Sequence, residues 1–458
     1  MAAVIDIEGS LAPPLGLGSD ARVAVVGLGK TGVSALKFLH RRGIDCFAMD
    51  TRDRPPGLAA AQALAGVPVS TGGLRSDWLS WATHLLVSPG VELERPEIRA
   101  ALERGAALIS DIDLFADQVQ APIVGVTGSN GKSTVTTLVA EMAQAAGVKA
   151  VAGGNLGTPA LDLLADSYEL YVLELSSFQL ERVRRLNLKA GTVLNISPDH
   201  LDRHPDLECY AAIKSRLLKW SQQAVVNRDD PMVVQMAEEL SVRENRLWFS
   251  LDDPAADYGL IQYRGETWLA RRGEPLLAAA EVRLVGRHNL ANALAALALA
   301  EAAGIPLAAA AAVLSRFEGL PHRMQKVAEI DGVVWINDSK GTNVGATIAA
   351  VAGVTGPVIL LAGGDGKGAD FSPLRSAIAA KVKAAVLYGR DRKLIAQALS
   401  GATELYLVED LPGAVEVARK IARPGDTVLL SPACASFDQF ENYQMRGECF
   451  TQQVLKWR

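Results

Sequence analysis

The chain has 458 residues, of which 49% are hydrophobic and 21% are charged. This length exceeds one ordinary hydrophobic core, so we expect two to four domains, and the composition is typical of folded globular proteins rather than disordered ones. The net charge of −5 gives no reason to expect a nucleic-acid partner, because nucleic-acid binding usually requires a basic surface.

Three features of the sequence bear on where in the cell the protein is located. Asp6 and Glu8 stand where a secretory signal peptide would carry Lys or Arg. The most apolar stretch, 290–314, is alanine-rich and interrupted by polar residues, Gly304 and Pro306, which favours two packed helices over a membrane span. The cysteines lie far apart without a CxxC pair, so we expect reduced thiols in a cytoplasmic protein without membrane insertion. They are Cys46, Cys209, Cys434 and Cys449.

The first part of the chain, 1–110, alternates short apolar strands with helical patterns, which predicts a parallel sheet covered by helices. Its first strand runs into "GLGKTG" (27–32), a glycine pattern that can hold a diphosphate at a helix N-terminus. Asp50 ends the next strand, and "SPG" (88–90) forms a second turn on the same edge. The alternative is a tight packing turn that binds nothing.

The second part, 111–319, opens with a strand that leads into "GVTGSNGKST" (125–134), which we call the lysine loop. Its spacing differs from the standard P-loop, but the compact T-G-x-x-G-K-S pattern between strand and helix favours ATP, with Lys132 on the phosphates and a hydroxyl on Mg²⁺. Residues 243–286 read as hairpins added to the sheet, and helices from Asn289 to about Phe317 close this part.

Two strand ends of the second part carry metal-ligand side chains. Glu174 ends the second strand after the lysine loop, and His200 follows a later strand beside Asp199 and Asp202. We expect Glu174 to bind a metal ion, because ATP chemistry needs one; the alternative is an ion pair with Arg182.

The third part, 320–458, contains five further apolar strands separated by helical segments. This pattern predicts another doubly wound α/β unit. The fold class is therefore α/β, with three domains that each hold a largely parallel sheet covered by helices. The first and third domains are Rossmann-like and the central domain is of the P-loop type.

The order of several motifs resembles the Mur ligases of peptidoglycan synthesis, from residue 22 to the C-terminus. The shared motifs are "GVTGSNGKST", "GGNLGTP" (153–159), "ELSSFQLE" (174–181), "PDHLDRH" (198–204), "GRHNLANALAA" (286–296), "LPHR" (320–323) and "GGDGKGADF" (363–371). "NDSKGTN" (337–343) and "SPACASFDQF" (431–440) are similar to the branch of the family that adds D-glutamate.

The resemblance implies an ATP-dependent ligase that joins D-glutamate to UDP-N-acetylmuramoyl-L-alanine through an acyl phosphate and releases ADP and phosphate. It places this reaction in cytoplasmic synthesis of the cell-wall precursor, and hence in maintenance of cell shape and in division. The first domain would bind UDP, the central domain ATP, and the third D-glutamate while closing on ATP. We expect a monomer.

The resemblance also implies the site residues, grouped by ligand. Those for ATP are Gly128, Asn130, Gly131, Lys132, Ser133, Thr134, Asn289, Asn292, Arg323 and Asp338. Those for the UDP substrate are Lys30, Thr31, Asp50, Thr51, Arg52, Ser88, Pro89, Gly90, Asn155 and Gln179. Those for D-glutamate are Lys340, Thr342, Lys367, Ser436 and Tyr443.

Two Mg²⁺ ions are implied, with metal ligands Ser133, Glu174, His200 and Lys214. Lys132, His200 and Lys214 would be catalytic, and Lys214 would be carbamylated by CO₂, which converts a repelling ammonium into an anionic ligand. Considered from its helix alone, Lys214 is an ordinary solvated lysine. For His322, packing beside adenine and a structural role are equally open.

Three other functions compete. A nicotinamide-dependent dehydrogenase, with Asp50 on a ribose, would use the first glycine loop and leave the lysine loop unexplained. A nucleotide-binding or motor protein that uses only ATP would leave the C-terminal motifs unexplained. A sibling ligase would add another amino acid.

Overall fold

The computed structural model describes residues 15–200, 203–240 and 245–457. Asp6, Glu8 and Asp202 lie outside the described residues. Within the described part, the strands form sheets of five, nine and six strands, covered by helices, which confirms the predicted α/β class. The chain divides into two compact units: the first holds the described residues up to Thr127 with Gly147–Gly191 and Arg216–Ala224, and the second holds the remainder.

The five-stranded sheet has the order β3-β2-β1-β4-β5, with all its neighbouring strands parallel. Its elements are β1 (Arg22–Val26), α1 (Lys30–Arg41), β2 (Asp45–Met49), α2 (Leu58–Gln62), β3 (Val69–Ser70), α3 (Ser76–Trp81), β4 (His84–Val87), α4 (Pro96–Glu103) and β5 (Ala107–Ile109). Its core includes Phe47, Leu85 and Ile98. Both faces of the central strands are buried, so they appear in the sequence as continuous apolar runs.

The first glycine loop depends on a close backbone approach. A Cβ on Gly32 would lie 1.9 Å from the carbonyl oxygen of Gly27, so only glycine fits where α1 meets β1. This contact accounts for the third glycine of the pattern by packing alone, as the sequence alternative proposed. This packing contact leaves the backbone N–H groups at the N-terminus of α1 beside the loop, where they can still meet a diphosphate.

The nine-stranded sheet has the order β14-β13-β12-β11-β10-β9-β6-β8-β7. Its elements are α5 (Asp111–Gln118), β6 (Ile123–Thr127), α6 (Lys132–Ala145), β7 (Ala150–Gly154), a 3₁₀ helix (Ala160–Ala165), β8 (Leu170–Glu174), α7 (Ser177–Leu180), β9 (Leu188–Val193), α8 (Leu207–Lys219), β10 (Ser221–Asn227), α9 (Pro231–Glu238), β11 (Arg246–Phe249), β12 (Tyr258–Tyr263), β13 (Glu266–Arg271), β14 (Glu274–Ala278), a 3₁₀ helix (Ala279–Glu281), α10 (Arg287–Ala302) and α11 (Leu307–Leu314).

The predicted hairpins are confirmed for β12, β13 and β14, where each strand runs antiparallel to the next. The prediction was wrong for β11, which the hairpin region 243–286 included, because β11 pairs parallel with β12. The apolar stretch 290–314 forms α10 and α11, which pack against each other as expected. No helix within the described residues has both the length and the apolar character needed to cross a membrane.

The six-stranded sheet has the order β15-β16-β20-β17-β18-β19. Its elements are β15 (Gln325–Ile330), β16 (Val333–Asn337), α12 (Val344–Gly353), β17 (Val358–Gly363), α13 (Ser372–Ile378), β18 (Val382–Tyr388), α14 (Arg392–Leu399), β19 (Glu404–Leu407), α15 (Leu411–Ile421), β20 (Thr427–Leu430) and α16 (Tyr443–Leu455). Hydrophobic clusters cover both faces. The sequence did not predict β15, an antiparallel edge strand with no fully buried residue, because it lacks an apolar run.

Candidate active site

The lysine loop connects the fully buried strand β6 to the first turn of α6. Gly131 has a φ of +85°, and a Cβ added to it would lie 2.4 Å from Oδ1 of Asn292. Both the left-handed backbone and the contact require glycine at this position. The loop thus brings several backbone N–H groups to a helix N-terminus, which is the arrangement that favours phosphate oxygens.

Lys132 lies on the inside of the lysine loop. Its Nζ donates hydrogen bonds to the carbonyl oxygens of Gly128, at 2.9 Å, and Ser129, at 2.8 Å. These bonds hold the ammonium group close to the loop backbone. A phosphate bound by the loop would therefore meet a positioned positive charge.

The segment after β9 fixes the lysine loop. The side chain of Asn195 accepts from the backbone N–H of Asn130 at 2.8 Å and donates to the carbonyl of Asn130 at 3.1 Å. The hydroxyl of Ser129 donates to the carbonyl of Ser197 at 3.0 Å and accepts from its N–H at 2.9 Å. We did not identify Asn195 from the sequence, since its partner is 65 residues away.

Lys214 is not the solvated helix lysine that its helix alone suggests. It is only 1% exposed, its Nζ donates to the carbonyl of Gly128 at 3.1 Å, and it lies 4.7 Å from the centre of the Tyr210 ring. The Tyr210 hydroxyl lies 3.3 Å from the Ser129 hydroxyl, and burial raises the pKa of Tyr210. Sequence reasoning missed Tyr210, although its position four residues before Lys214 puts both on one helix face.

Arg323 reaches the lysine loop from the segment before β15. Its Nη2 donates to the hydroxyl of Ser133 at 2.6 Å. Nearby, Asp338 accepts from the Ser431 hydroxyl at 2.8 Å and from the N–H of Met324 at 3.2 Å. Burial raises the pKa of Asp338 to about 7, and these hydrogen bonds oppose the rise only in part.

Two buried asparagines stand one turn apart on α10. Asn292 donates to Oδ1 of Asn289 at 2.9 Å, and Asn289 donates to the carbonyl of Val285 at 2.7 Å. Asn289 uses both its amide oxygen and its amide nitrogen in these bonds, whereas Asn292 uses only its amide nitrogen, so Oδ1 of Asn292 remains to contact a ligand.

One cavity of about 380 Å³ collects most of the residues predicted to bind ATP. Seven of the ten line it: Asn130, Gly131, Thr134, Asn289, Asn292, Arg323 and Asp338. Phe249, Leu251 and Leu284 provide an apolar wall, and Lys340, which we predicted for D-glutamate, also lines the cavity. A mostly apolar cavity of this size with converging polar groups is typical of a small-molecule site.

Glu174 and His200, two of the predicted metal ligands, each lie beside another polar side chain. The buried carboxylate of Glu174, at the end of β8, accepts a 2.6 Å hydrogen bond from Asn155. His200 has a φ of +56°, and its Nε2 lies 3.8 Å from a carboxylate oxygen of Asp199. The described residues contain no group of three or more His, Cys, Asp and Glu placed to hold a metal ion.

Around the first glycine loop, Lys30 and Thr31 begin α1, and Asp50 is bound by protein groups. Asp50 accepts from the N–H of Leu28 at 2.6 Å and from the Arg52 guanidinium at 2.8 and 2.9 Å. Burial raises the pKa of Asp50, but the hydrogen bonds from Arg52 and Leu28 outweigh it and bring the pKa below its usual value. Thr51 is half-buried beside this pair.

Arg182 organises the Ser88-Pro89-Gly90 turn. The buried guanidinium donates to the carbonyls of Val87 at 2.7 Å, Val91 at 2.6 Å and Ser88. Ser88 in turn donates to the carbonyl of Gly27 at 2.8 Å. The turn is therefore tied to the first glycine loop by a residue that we had considered only as a partner for Glu174.

Gln179 has a local structural role. Its side-chain oxygen accepts from the N–H and the hydroxyl of Ser176, both at 3.1 Å, in a capping box at the start of α7. The predicted contact of Gln179 with the UDP substrate would have to use its amide N–H groups.

All five residues predicted for D-glutamate belong to the six-stranded domain. Lys340 Nζ lies 4.4 Å from the centre of the Tyr443 ring, and the N–H of Thr342 donates to the carbonyl of Lys340 at 2.8 Å. Ser436 is buried, whereas Lys367 is exposed, with its Nζ 5.5 Å from the ring centre of Phe437.

His322 is held by protein groups. Its Nδ1 lies 3.0 Å from Nδ2 of Asn337, and its ring packs where a Cβ on Gly447 would clash. Burial lowers its pKa, with Glu448 opposing. These contacts favour the structural alternative for His322. Asn343 was quoted in a motif but not singled out, yet it donates to Asn130 at 3.3 Å and to Asp199 at 3.1 Å.

Comparison with known proteins gives matches along most of the chain. The model of the Mur ligase middle domain matches residues 126–300. The chain belongs to the Mur ligase family. The Mur ligase MurD-like N-terminal domain matches residues 21–110, and the Mur ligase glutamate ligase domain matches residues 322–434.

Individual relatives support the same placement of this Mur ligase. It is 53% identical over 441 residues to a UDP-N-acetylmuramoylalanine–D-glutamate ligase of Methylococcus capsulatus, covering 96% of each chain. It is 50% identical to a ligase of the same name from Nitrosococcus oceani, covering 95% of this chain and 96% of the relative. The fold is similar to that of the UDP-N-acetylmuramate-alanine ligase MurC from Thermotoga maritima, with a TM-score of 0.60, 19% identity and coverage of 95% and 100%.

Proposed function

We propose that this Mur ligase joins D-glutamate to UDP-N-acetylmuramoyl-L-alanine at the expense of ATP, in the cytoplasm. The observation that carries the proposal is its 53% identity, over 96% of both chains, to a relative named for that reaction. The lysine loop and the cavity beside it supply the chemistry that such a ligase needs, as the following steps set out.

The substrate carboxylate must first be made electrophilic, because a carboxylate at neutral pH does not react with an amine. An oxygen of the alanyl carboxylate attacks the γ-phosphorus of ATP, the bond to the bridging oxygen breaks, and ADP leaves. The amine of D-glutamate, having lost a proton to become neutral, then attacks the acyl phosphate carbon. The nitrogen of the tetrahedral intermediate loses its extra proton to water, the carbon–oxygen bond to phosphate breaks, and phosphate leaves as the amide forms.

We assign the cavity of about 380 Å³ to the adenosine part of ATP and the lysine loop to its phosphates. Lys132 is held at the loop by two carbonyls and would exchange these for γ-phosphate oxygens. Arg323 is positioned by Ser133 to place a second positive charge there. Such fixed charges lower the cost of bringing two anions together, most strongly in a site with little water.

The donor set fits Mg²⁺, which binds proteins through one or two oxygen groups and keeps phosphate oxygens and waters as its other ligands. The hydroxyl of Ser133 and the carboxylate of Glu174 are oxygen groups of the kind that Mg²⁺ binds, and both remain predicted ligands. Bound Mg²⁺ would neutralise part of the charge on the phosphates and the carboxylate.

A second ion near His200 would need an anionic partner, and we propose that carbamylated Lys214 supplies it. Lys214 is buried and is held against the Gly128 carbonyl and the Tyr210 ring, so its side chain is already directed to the lysine loop. Incubation with ¹³C-bicarbonate should give a carbamate carbon signal that disappears in Lys214→Ala. An active wild-type protein without that signal or the matching mass increase would contradict the proposal.

For the other two substrates we propose the two sets of binding residues that were predicted from the sequence. The first glycine loop and the Ser88–Gly90 turn would bind UDP, and the Lys340, Thr342, Lys367, Ser436 and Tyr443 set would bind D-glutamate. Two lysines suit an amino acid with two carboxylates.

The experiment that tests the function is phosphate release with ATP, Mg²⁺ and UDP-N-acetylmuramoyl-L-alanine against a panel of D- and L-amino acids. We expect release of ADP and phosphate and a new amide with D-glutamate only. Turnover with a different amino acid would identify a sibling ligase, and ATP hydrolysis without any amino acid would favour a plain ATPase.

A further inference from the structure

Arg446 is a fully buried arginine that makes three hydrogen bonds to neutral groups. Its Nε donates to the Ser339 hydroxyl at 3.0 Å, its Nη2 to the Ser339 carbonyl at 2.8 Å, and its Nη1 to the Cys434 carbonyl at 3.0 Å. Its side chain is 0% exposed, and among the described residues no carboxylate forms a salt bridge with it. Burying a guanidinium without an anionic partner is costly, so such a residue calls for a compensating role.

The partners of Arg446 are next to the residues proposed for D-glutamate. Ser339 directly precedes Lys340, and Cys434 stands two residues before Ser436. Gly364, in the loop that carries Lys367, approaches so closely that a Cβ there would lie 3.3 Å from Nη1 of Arg446. Arg446 itself is on α16, which begins at Tyr443.

Further bonds make these segments one network around the guanidinium. The Ser339 hydroxyl donates to the carbonyl of Tyr443 at 2.8 Å. The N–H of Ala433 donates to the carbonyl of Gly341 at 2.9 Å, and Asp365 and Ala435 exchange two backbone bonds of 2.8 and 3.0 Å. The loops are therefore joined to one another both through their backbones and through the Arg446 guanidinium.

We propose that Arg446 is the positioning residue of the amino-acid site: together with the backbone bonds above, it fixes the distance between the Lys340 and Ser436 loops and adds positive charge close to a dianionic substrate. Asp338 is within electrostatic range of Arg446, and because burial raises its pKa to about 7 it offsets that charge only in part near neutral pH. This inference rests on the proposed function, since it concerns the site for D-glutamate.

The test compares Arg446→Lys and Arg446→Met in the full chain by steady-state kinetics for each substrate. Lysine keeps the charge but cannot span all three acceptors, so we expect the KM for D-glutamate to rise roughly tenfold, and more with methionine, as for loss of buried charged hydrogen bonds. The KM for the UDP substrate should stay within about twofold, because none of its proposed residues belongs to these loops. The KM for ATP should rise less than that for D-glutamate, although Lys340 and Gly341 also line the cavity beside the lysine loop.

A matched control separates positioning from stability. Phe450 is equally buried on the same helix, but it packs into the hydrophobic cluster that contains Trp335 and Val428. Phe450→Leu should lower the thermal midpoint while leaving the KM for D-glutamate unchanged. If Arg446 variants do not fold, Ser339→Ala removes two of the network's bonds at lower cost and should still raise the KM for D-glutamate several-fold.

The outcomes are distinct. Unchanged KM for D-glutamate in Arg446→Lys and Ser339→Ala, or an equal rise in all three KM values, would overturn the inference. Wild-type protein that uses another amino acid, or none, would instead overturn the proposed function, and that is decided by the wild-type panel before any variant is measured.

Discussion

Arg323 and Ser133 are 190 residues apart in the chain, yet the guanidinium donates a 2.6 Å hydrogen bond to the hydroxyl. The contact brings the segment before β15 to the first turn of α6. The residue that follows the loop lysine is thereby joined to a second cation, and both lie where we place the ATP phosphates.

Replacing Arg323 with methionine should reduce kcat by ~10²-fold or more, because a fixed charge that meets developing negative charge contributes on that scale. Arg323→Lys should retain part of the activity, since it keeps the charge but loses the fork geometry. Initial-rate phosphate release measures both. Arg316→Met, an exposed arginine in the same segment, is the control and should behave as wild type. A drop of less than about threefold in Arg323→Met would contradict a role on the phosphates.

Lys132→Ala should slow turnover by ~10²-fold or more at saturating substrates, for the same electrostatic reason. The two hydrogen bonds described above join its ammonium to carbonyls of its own loop, and we expect the circular dichroism of the variant to be that of wild type. Lys149→Ala, at an exposed position, serves as control. Near-normal kcat in Lys132→Ala would count against the lysine loop as the site of phosphoryl transfer.

Gly131→Ala should raise the KM for ATP by roughly tenfold or more, as expected for steric displacement of a site residue. The new Cβ would lie 2.4 Å from Oδ1 of Asn292, which lines the cavity. Gly147 provides a close match, with a φ of +83° against +85° for Gly131, but with nothing within 4 Å of its Cβ position. Both alanine variants should lose similar stability, about 1 kcal/mol, whereas only Gly131→Ala should impair ATP binding. Equal ATP affinity in the two variants would show that the clash is relieved without cost.

Asp111 should make stability depend on pH. Burial raises its pKa to about 7; Asp113 adds to the rise, whereas backbone N–H groups and Arg182 oppose it. Between pH 4 and 7 the unfolded chain therefore loses this proton while the folded protein keeps it, so folding free energy is lost as pH rises and the loss is complete above pH 7.

Asp111→Asn removes that dependence. Between pH 5 and pH 8 the free energy of unfolding of the variant should increase relative to that of wild type. The increase should be a few kcal/mol at most, because each unit of pKa shift corresponds to ~1.4 kcal/mol. Thermal unfolding at four pH values in that range measures the difference. Asp117→Asn, exposed on the same helix, should run parallel to wild type. If the stability of Asp111→Asn also ran parallel to that of wild type across these pH values, an elevated pKa of Asp111 would be excluded.

The fold class and the lysine loop could be predicted from the sequence, but most contacts between distant side chains could not. "GVTGSNGKST" specifies a strand, a turn and the start of a helix within ten residues, so secondary-structure propensity and the positions of the glycines determine the local structure. β15 was missed because an edge strand with little burial leaves no apolar pattern. The capping role of Gln179 was local but was hidden behind its expected ligand contact. Asn343 also caps a helix, since its side chain accepts from the N–H of Ala346 at the start of α12, but the sequence analysis did not single it out.

What the sequence determined by itself is therefore the order of elements, the α/β class and the short loops at strand ends, because these follow from interactions between residues close in the chain. Only the tertiary structure decided that Asn195 clamps the lysine loop, that Lys214 is buried against Tyr210, and that Arg446 joins the loops around Lys340 and Ser436. The reason is that hydrogen bonds and burial between distant segments depend on how sheets and helices pack, and no local pattern records that packing.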